Sequence, residues 1–159
     1  MLNAILVWPR SAATSSSCFL LDSAGIVFAP ALIYSGDAYQ KYYGVVVGDT
    51  LPRQFLDKER FYSLQSLINA LQKKQHLRVQ TVTSDIHGDV RLTFDGDFAV
   101  IFAMTANKGD VFERFGLALM AAPFAARPLS DFEYLDLRFG DTLYYKLKGT
   151  VTSGVTHKK

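Results

Sequence analysis

Asp85, His87, Asp89, Asp95 and Asp97 are the side chains best suited to hold a cation or move a proton. A hard cation such as Ca²⁺ wants several oxygen ligands. These acids, however, divide between two turns, Asp85-Ile86-His87-Gly88-Asp89 and Asp95-Gly96-Asp97. Asp and Gly are favoured in such turns for backbone reasons, so no metal is expected. Asp136 and Arg138 lie two apart on one strand face, a spacing open to a catalytic pair or a surface ion-pair network, and the network is the expectation. Cys18 is the only cysteine, which excludes an intrachain disulfide. Within Cys18-Phe19-Leu20-Leu21 it reads as a small core residue, and His76, His87 and His157 offer it no base in sequence. The chain shows no Gly-rich phosphate loop, serine elbow or Cys/His zinc spacing. Neither catalytic residues nor a cofactor are expected. A small metal-dependent hydrolase would require the turn acids to converge in a pocket.

The elements that position these residues start from composition. The chain has 159 residues, 49% apolar and 20% charged, enough for one domain with a core. Aromatics at 13% favour strands. A net charge of +2 does not suggest nucleic acid, and Lys73-Lys74 and Lys158-Lys159 read as solvated surface. No apolar run reaches transmembrane length. The first ten residues lack the basic start of a signal peptide. Residues 1–149 are expected to form the domain, and 150–159 a polar, disordered tail.

Residues 2–8 read as a strand that Pro9 ends, and Ser11 to Ser17 as a loop. Cys18–Leu21 and Ile26–Phe28 flank Asp22-Ser23-Ala24-Gly25 as a hairpin. A further strand is expected over 39–47. Residues 57–74 are the clearest helix, capped by Asp57, with Phe61, Leu64, Leu67, Ile68 and Leu71 on one stripe. Three strands follow at 77–84, 90–94 and 98–104, joined by the two Asp/Gly turns as a meander. A second helix spans about 109–121, with Val111, Phe112, Phe115, Ala118 and Leu119 on its buried stripe. The connections read as hairpins rather than parallel crossovers. The expected class is α+β: a mainly antiparallel β-sheet with two helices packed on one face.

The fold is expected to end in a β-hairpin over 132–148. Leu135, Leu137 and Phe139 alternate with polar residues, and Leu143, Tyr145 and Leu147 resume the pattern after Gly140-Asp141. A three-residue connection, 140–142, pairs Leu137 with Tyr145, Leu135 with Leu147 and Asp136 with Lys146. The last strand is expected to be an exposed edge. Its unpaired N–H and C=O groups suit a partner strand.

In order, these pieces resemble the β domain of the FtsQ/DivIB bacterial cell-division family. The matching stretches are 18–28, the helix 57–74 with Leu77-Arg78-Val79, the Gly88-to-Phe94 meander, the helix 109–121, and Tyr134-Leu135-Asp136-Leu137-Arg138-Phe139 with its return strand. Members usually carry a transmembrane helix and a POTRA domain before this β domain. The sequence shows neither, so any membrane association is expected only through an anchor outside it. The resemblance implies a non-enzymatic, extracytoplasmic divisome scaffold at the cytoplasmic membrane. It would bind FtsB/DivIC-like and FtsL-like coiled-coil proteins by strand addition, and so serve septal peptidoglycan synthesis, with no small-molecule substrate. Carried onto this chain, the partner site is Phe139, Leu143, Tyr144, Tyr145, Lys146, Leu147 and Lys148. An extracytoplasmic adaptor of the same fold in another envelope assembly is the alternative.

Overall fold

The computed structural model describes residues 5–9, 18–31, 39–44, 50–151 and 153–157. Helix α1 runs Lys58–Lys74. The Asp57 carboxylate accepts from the Arg60 N–H (2.9 Å), satisfying one of the amides that a helix start leaves without a partner. Lys73 and Lys74 close the helix where its dipole is negative. Its five expected stripe residues are all buried. Helix α2 runs Lys108–Met120. Its cap is Asn107, whose side chain accepts from Gly109 and Asp110. Val111, Phe115 and Ala118 are buried, and Phe112 and Leu119 pack at the margin.

The strands are β1 Ile5–Pro9, β2 Cys18–Leu21, β3 Ile26–Ala31, β4 Lys41–Gly44, β5 Arg53–Gln54, β6 Val79–Ser84, β7 Asp89–Phe94, β8 Ala99–Ala103, β9 Phe132–Asp136, β10 Thr142–Leu147 and β11 Ser153–His157. They form one sheet in the order β11-β10-β9-β8-β7-β6-β4-β1-β2-β3-β5. The α+β class therefore holds. The sheet is less purely antiparallel than expected: three of its ten pairings are parallel, β1–β4, β4–β6 and β8–β9. Two of these correct the expectation of hairpins alone. Helix α1 lies between β4 and β6 in sequence, and α2 between β8 and β9. Each helix carries the chain back along the sheet, so the next strand starts from the same end as the last. The hairpin 18–31 is longer than expected, because Pro30 pairs with Phe19 rather than ending the strand. Pro9 likewise pairs within β1, opposite Gly44. The expected strand 39–47 is described only as β4, and the expected loop 11–17 lies outside the described residues.

Both helices contribute to one core on a single face of the sheet. Alternation along the strands sends Val90, Leu92 and Phe94 inward from β7, and Val100 and Phe102 from β8. Phe98 is fully buried, and its ring lies 5.9–6.5 Å from those of Phe94, Phe115, Phe124 and Phe132. This cluster joins α2 to both strands that flank the second crossover. Tyr42 is also fully buried. Its hydroxyl donates to Gln40 Oε1 (3.0 Å) and accepts from Gln65 Nε2, and burial pushes the phenol far above its ordinary pKa.

The C-terminal hairpin needs two corrections. Leu135 faces Tyr145, Asp136 faces Tyr144 and Lys146 faces Tyr134, two residues away from the expected register. The turn closes earlier than expected: the Phe139 carbonyl accepts from the Thr142 N–H (2.9 Å), with Gly140 at φ 51°. A two-residue slip preserves side-chain faces, so Leu143, Tyr145 and Leu147 still pack on the core. The second correction concerns 150–159. Residues 153–157 are not a disordered tail but β11, antiparallel to β10. The expected exposed edge at β10 is therefore covered, and β11 ends the sheet. Gly149, at φ 75°, makes the intervening turn. Val151, Val155, Thr150 and Thr156 are β-branched residues suited to strands, although the segment looks polar by composition.

Replacing Phe98 with Ala is expected to lower unfolding free energy by ~3–5 kcal/mol. Urea denaturation checks this, and a loss below about 1 kcal/mol would displace the ring cluster from the centre of the core.

Candidate partner-binding edge

The seven residues expected to bind a partner do not share one surface. Leu143, Tyr145 and Leu147 pack against the core, with Tyr145 edge-on to Phe124 and Phe132 at 5.6 and 6.0 Å. Tyr144 and Lys146 alternate with them and lie on the helix-free face. Phe139 stands at the turn, 52% exposed, edge-on to Tyr144 at 5.1 Å. Lys148 sits past the strand end, its Nζ donating to Gly96 O (2.7 Å) and its N–H to Asp131 O (2.8 Å). Lys146 Nζ lies 2.7 Å from Glu133. Its charge is already answered within the chain, which leaves it little demand for an acidic residue on a partner strand. The accessible apolar feature at this end is the Phe139–Tyr144 pair.

The turn that carries Phe139 is tied down from two sides. Asp136 is the one buried charged residue of the described chain. Arg138 Nε and Nη2 donate to its carboxylate at 2.9 and 2.6 Å, and the Arg138 N–H donates at 3.1 Å. Arg138 Nη1 also reaches Asp89 Oδ2. Hydrogen bonds to Asp136 above all, then to Asp89, push the guanidinium pKa further up. Because β8 lies between β7 and β9, this pair of contacts spans three strands. The expected surface network is thus half interior. The second tie is Arg114 of α2, which donates to Leu137 O (2.8 Å) and Gly140 O. Arg114 had no sequence signal: it is one arginine on a helix flank, and only the crossover brings it to the hairpin.

The acids of the two turns do not converge. Asp85 accepts from the His87 and Asp89 N–H groups, both at 2.9 Å, as a turn-closing side chain does. Asp89 engages Arg138, and Asp95 accepts from Gln80 Nε2. Among the described residues no three His, Cys, Asp or Glu side chains gather as a metal would require. Cys18 is buried, and burial pushes its thiol pKa up, away from nucleophilic use. A polar cavity of about 140 Å³, lined by Tyr39, Gln40, Lys41, Gln72, Arg78, Val79 and Gln80, opens at β4 and β6, far along the sheet from β10.

No protein-family model matches the chain, and no curated protein matches it. Among the described residues, no helix is long and apolar enough to cross a membrane.

Asp136→Ala is expected to cost about 2–4 kcal/mol, because it strands a partly buried guanidinium. Arg138→Ala in the same chain is expected to recover part of that loss. A double-mutant cycle from urea melts checks it, and strict additivity would mean the pair is not coupled. A second expectation concerns pH. Backbone hydrogen bonds from Asp89 and His87 hold the Asp85 carboxyl below its ordinary 3.8. A lowered carboxylate pKa adds stability above the ordinary value and loses it as pH falls through the folded one. The β6–β7 turn should therefore stay closed at pH 3.8 and loosen only in stronger acid. A carbon-detected NMR titration of Asp85 with its midpoint at or above 3.8 would count against this.

Proposed function

We propose that this chain is the extracytoplasmic β domain of an FtsQ/DivIB-like cell-division protein. In this reading it is a non-enzymatic scaffold. It takes up a strand from FtsB/DivIC-like and FtsL-like coiled-coil proteins, and so helps to assemble and regulate the machinery of septal peptidoglycan synthesis. The single observation that carries it is the C-terminal end of the sheet: among the described strands the antiparallel run β9-β10-β11 ends at β11, and Phe139 stands half exposed at the turn before β10. An open ladder offers backbone groups that an extended segment can pair with, and neighbouring apolar side chains supply selectivity. Two further observations support it. Asp85 closes its own turn, and Asp89 and Asp136 both engage Arg138, which fixes the segment that leads into the hairpin turn. Arg114 sets α2 beside the hairpin, so an incoming strand would meet a helix as well as an edge.

The test is an NMR titration of the chain with the C-terminal segment of an FtsB/DivIC-like protein from the same organism. Amide shifts concentrated on 139–157 are the expected outcome. Shifts confined to β1–β5, or none at millimolar peptide, would remove the basis for this function. Phe139→Ala is expected to weaken the segment roughly tenfold. It should leave the thermal midpoint within a few degrees of the parent, because the side chain is half exposed.

A further inference from the structure

β11 bears on where that strand enters, because the β10 edge, which carries the residues expected to bind the partner, is already paired. Thr142, Leu143, Tyr144, Tyr145 and Lys146 pair with His157, Thr156, Val155, Gly154 and Ser153. We propose that β11 is a resident stand-in for a partner strand: it keeps the β10 edge closed until a strand supplied in trans displaces it. This deepens the scaffold reading and rests on it for the identity of the incoming strand.

Three observations carry the inference. First, β10 does not need β11 to stay in place. It is paired on its other side with β9, and Leu143, Tyr145 and Leu147 pack into the core. Second, the chain is anchored up to the turn and not only beyond it. Lys148 holds Asp131 and Gly96, and both the Thr150 hydroxyl and its N–H donate to Leu147 O. With Gly149 at φ 75°, this forms a fixed hinge from which β11 can swing away without disturbing β10. Third, β11 reads Ser-Gly-Val-Thr-His, with a glycine at its second position. It pairs with β10 over five residues, and ladder pairing is something any extended segment can reproduce. Exchange of one strand for another is then nearly balanced, and a few side-chain contacts decide it.

The resident strand also describes its competitor. β11 sets Val155 opposite Tyr144 and Gly154 opposite Tyr145. A displacing strand with the same register should carry a β-branched or other apolar residue opposite Tyr144 and a small residue opposite Tyr145. Lys146 adds little demand for an acid, since Glu133 answers it.

The experiment uses the full chain and a labelled synthetic peptide of residues 151–158. One variant carries Gly154→Pro with Val155→Pro. Successive strand N–H groups point to opposite sides, so one of these prolines removes a donor facing β10. This variant should bind the peptide at least tenfold tighter than the unsubstituted chain, with amide shifts on 142–147. A second variant, Tyr144→Cys with Val155→Cys, locks β11 when oxidised. It should refuse the peptide until a reductant is added. Equal binding by the oxidised and reduced forms would overturn the proposal, because the peptide would then be adding outside β11. So would failure of the proline variant to bind while its circular dichroism stays native. If the peptide exchanges but the division-protein segment does not bind, the resident strand stands and the cell-division assignment falls.

Discussion

Asp136 is a charge taken into the interior, and the C-terminal half of the protein is arranged around satisfying it. A buried carboxylate without partners would cost several kcal/mol, on the order of the whole stability of a small domain. Arg138 supplies a bidentate partner from just past the end of β9, and its remaining donor reaches Asp89 two strands away. The same guanidinium lies over the Phe139 ring at 5.3 Å. One side chain thus orders the end of β9, fastens it across β8 and orients the exposed aromatic that follows. Arg114 adds the helix to this frame by taking two carbonyls of the 137–140 segment. The turn at the candidate edge is a rigid part of the fold, although it lies at the surface.

The aromatic cluster does for the interior what that ion pair does for the sheet end. Phe98 meets rings from β7, α2, β9 and the short turn after α2. These are the segments on either side of a crossover, and nothing in their backbone pairing alone would bring them together. Tyr145 touches the same cluster through Phe124 and Phe132. The candidate edge strand is consequently welded to the core along one side, while its backbone faces β11 along the other.

Local signals carried most of the fold. The α1 stripe, its Asp57 cap and the two Asp/Gly turns were legible because each depends on residues a few positions apart. Helix α2 was legible from its stripe, one residue off at each end. Parallel pairing was not, since nothing local distinguishes a strand that returns from one that follows a crossover. Odd loop parity and the faces of the final hairpin were legible, but the register was two residues off, because the turn hydrogen bond formed at Phe139. β11 was missed because Thr and Ser were read as tail-like polarity, when Thr is also a β-branched strand former. At the candidate edge, the sequence misplaced what is free on the expected strand. Three of the seven residues face the core, and the strand's backbone is paired on both sides.

The sheet order has a consequence for how the chain assembles. From β6 to β11 spatial order follows chain order, so pairing there is mostly local and should form early. The N-terminal strands differ. Among the described strands, β1 reaches the central sheet through its parallel contact with β4, and β4 through β6, which comes after the long α1. Strands β1 and β4 must therefore wait for residues near position 80 before they gain a partner in the central sheet. Until then the hairpin β2–β3 and the strand β1 present an unfinished edge to their surroundings. This part of the sheet is most exposed to mispairing before β6 has emerged, and safest afterwards.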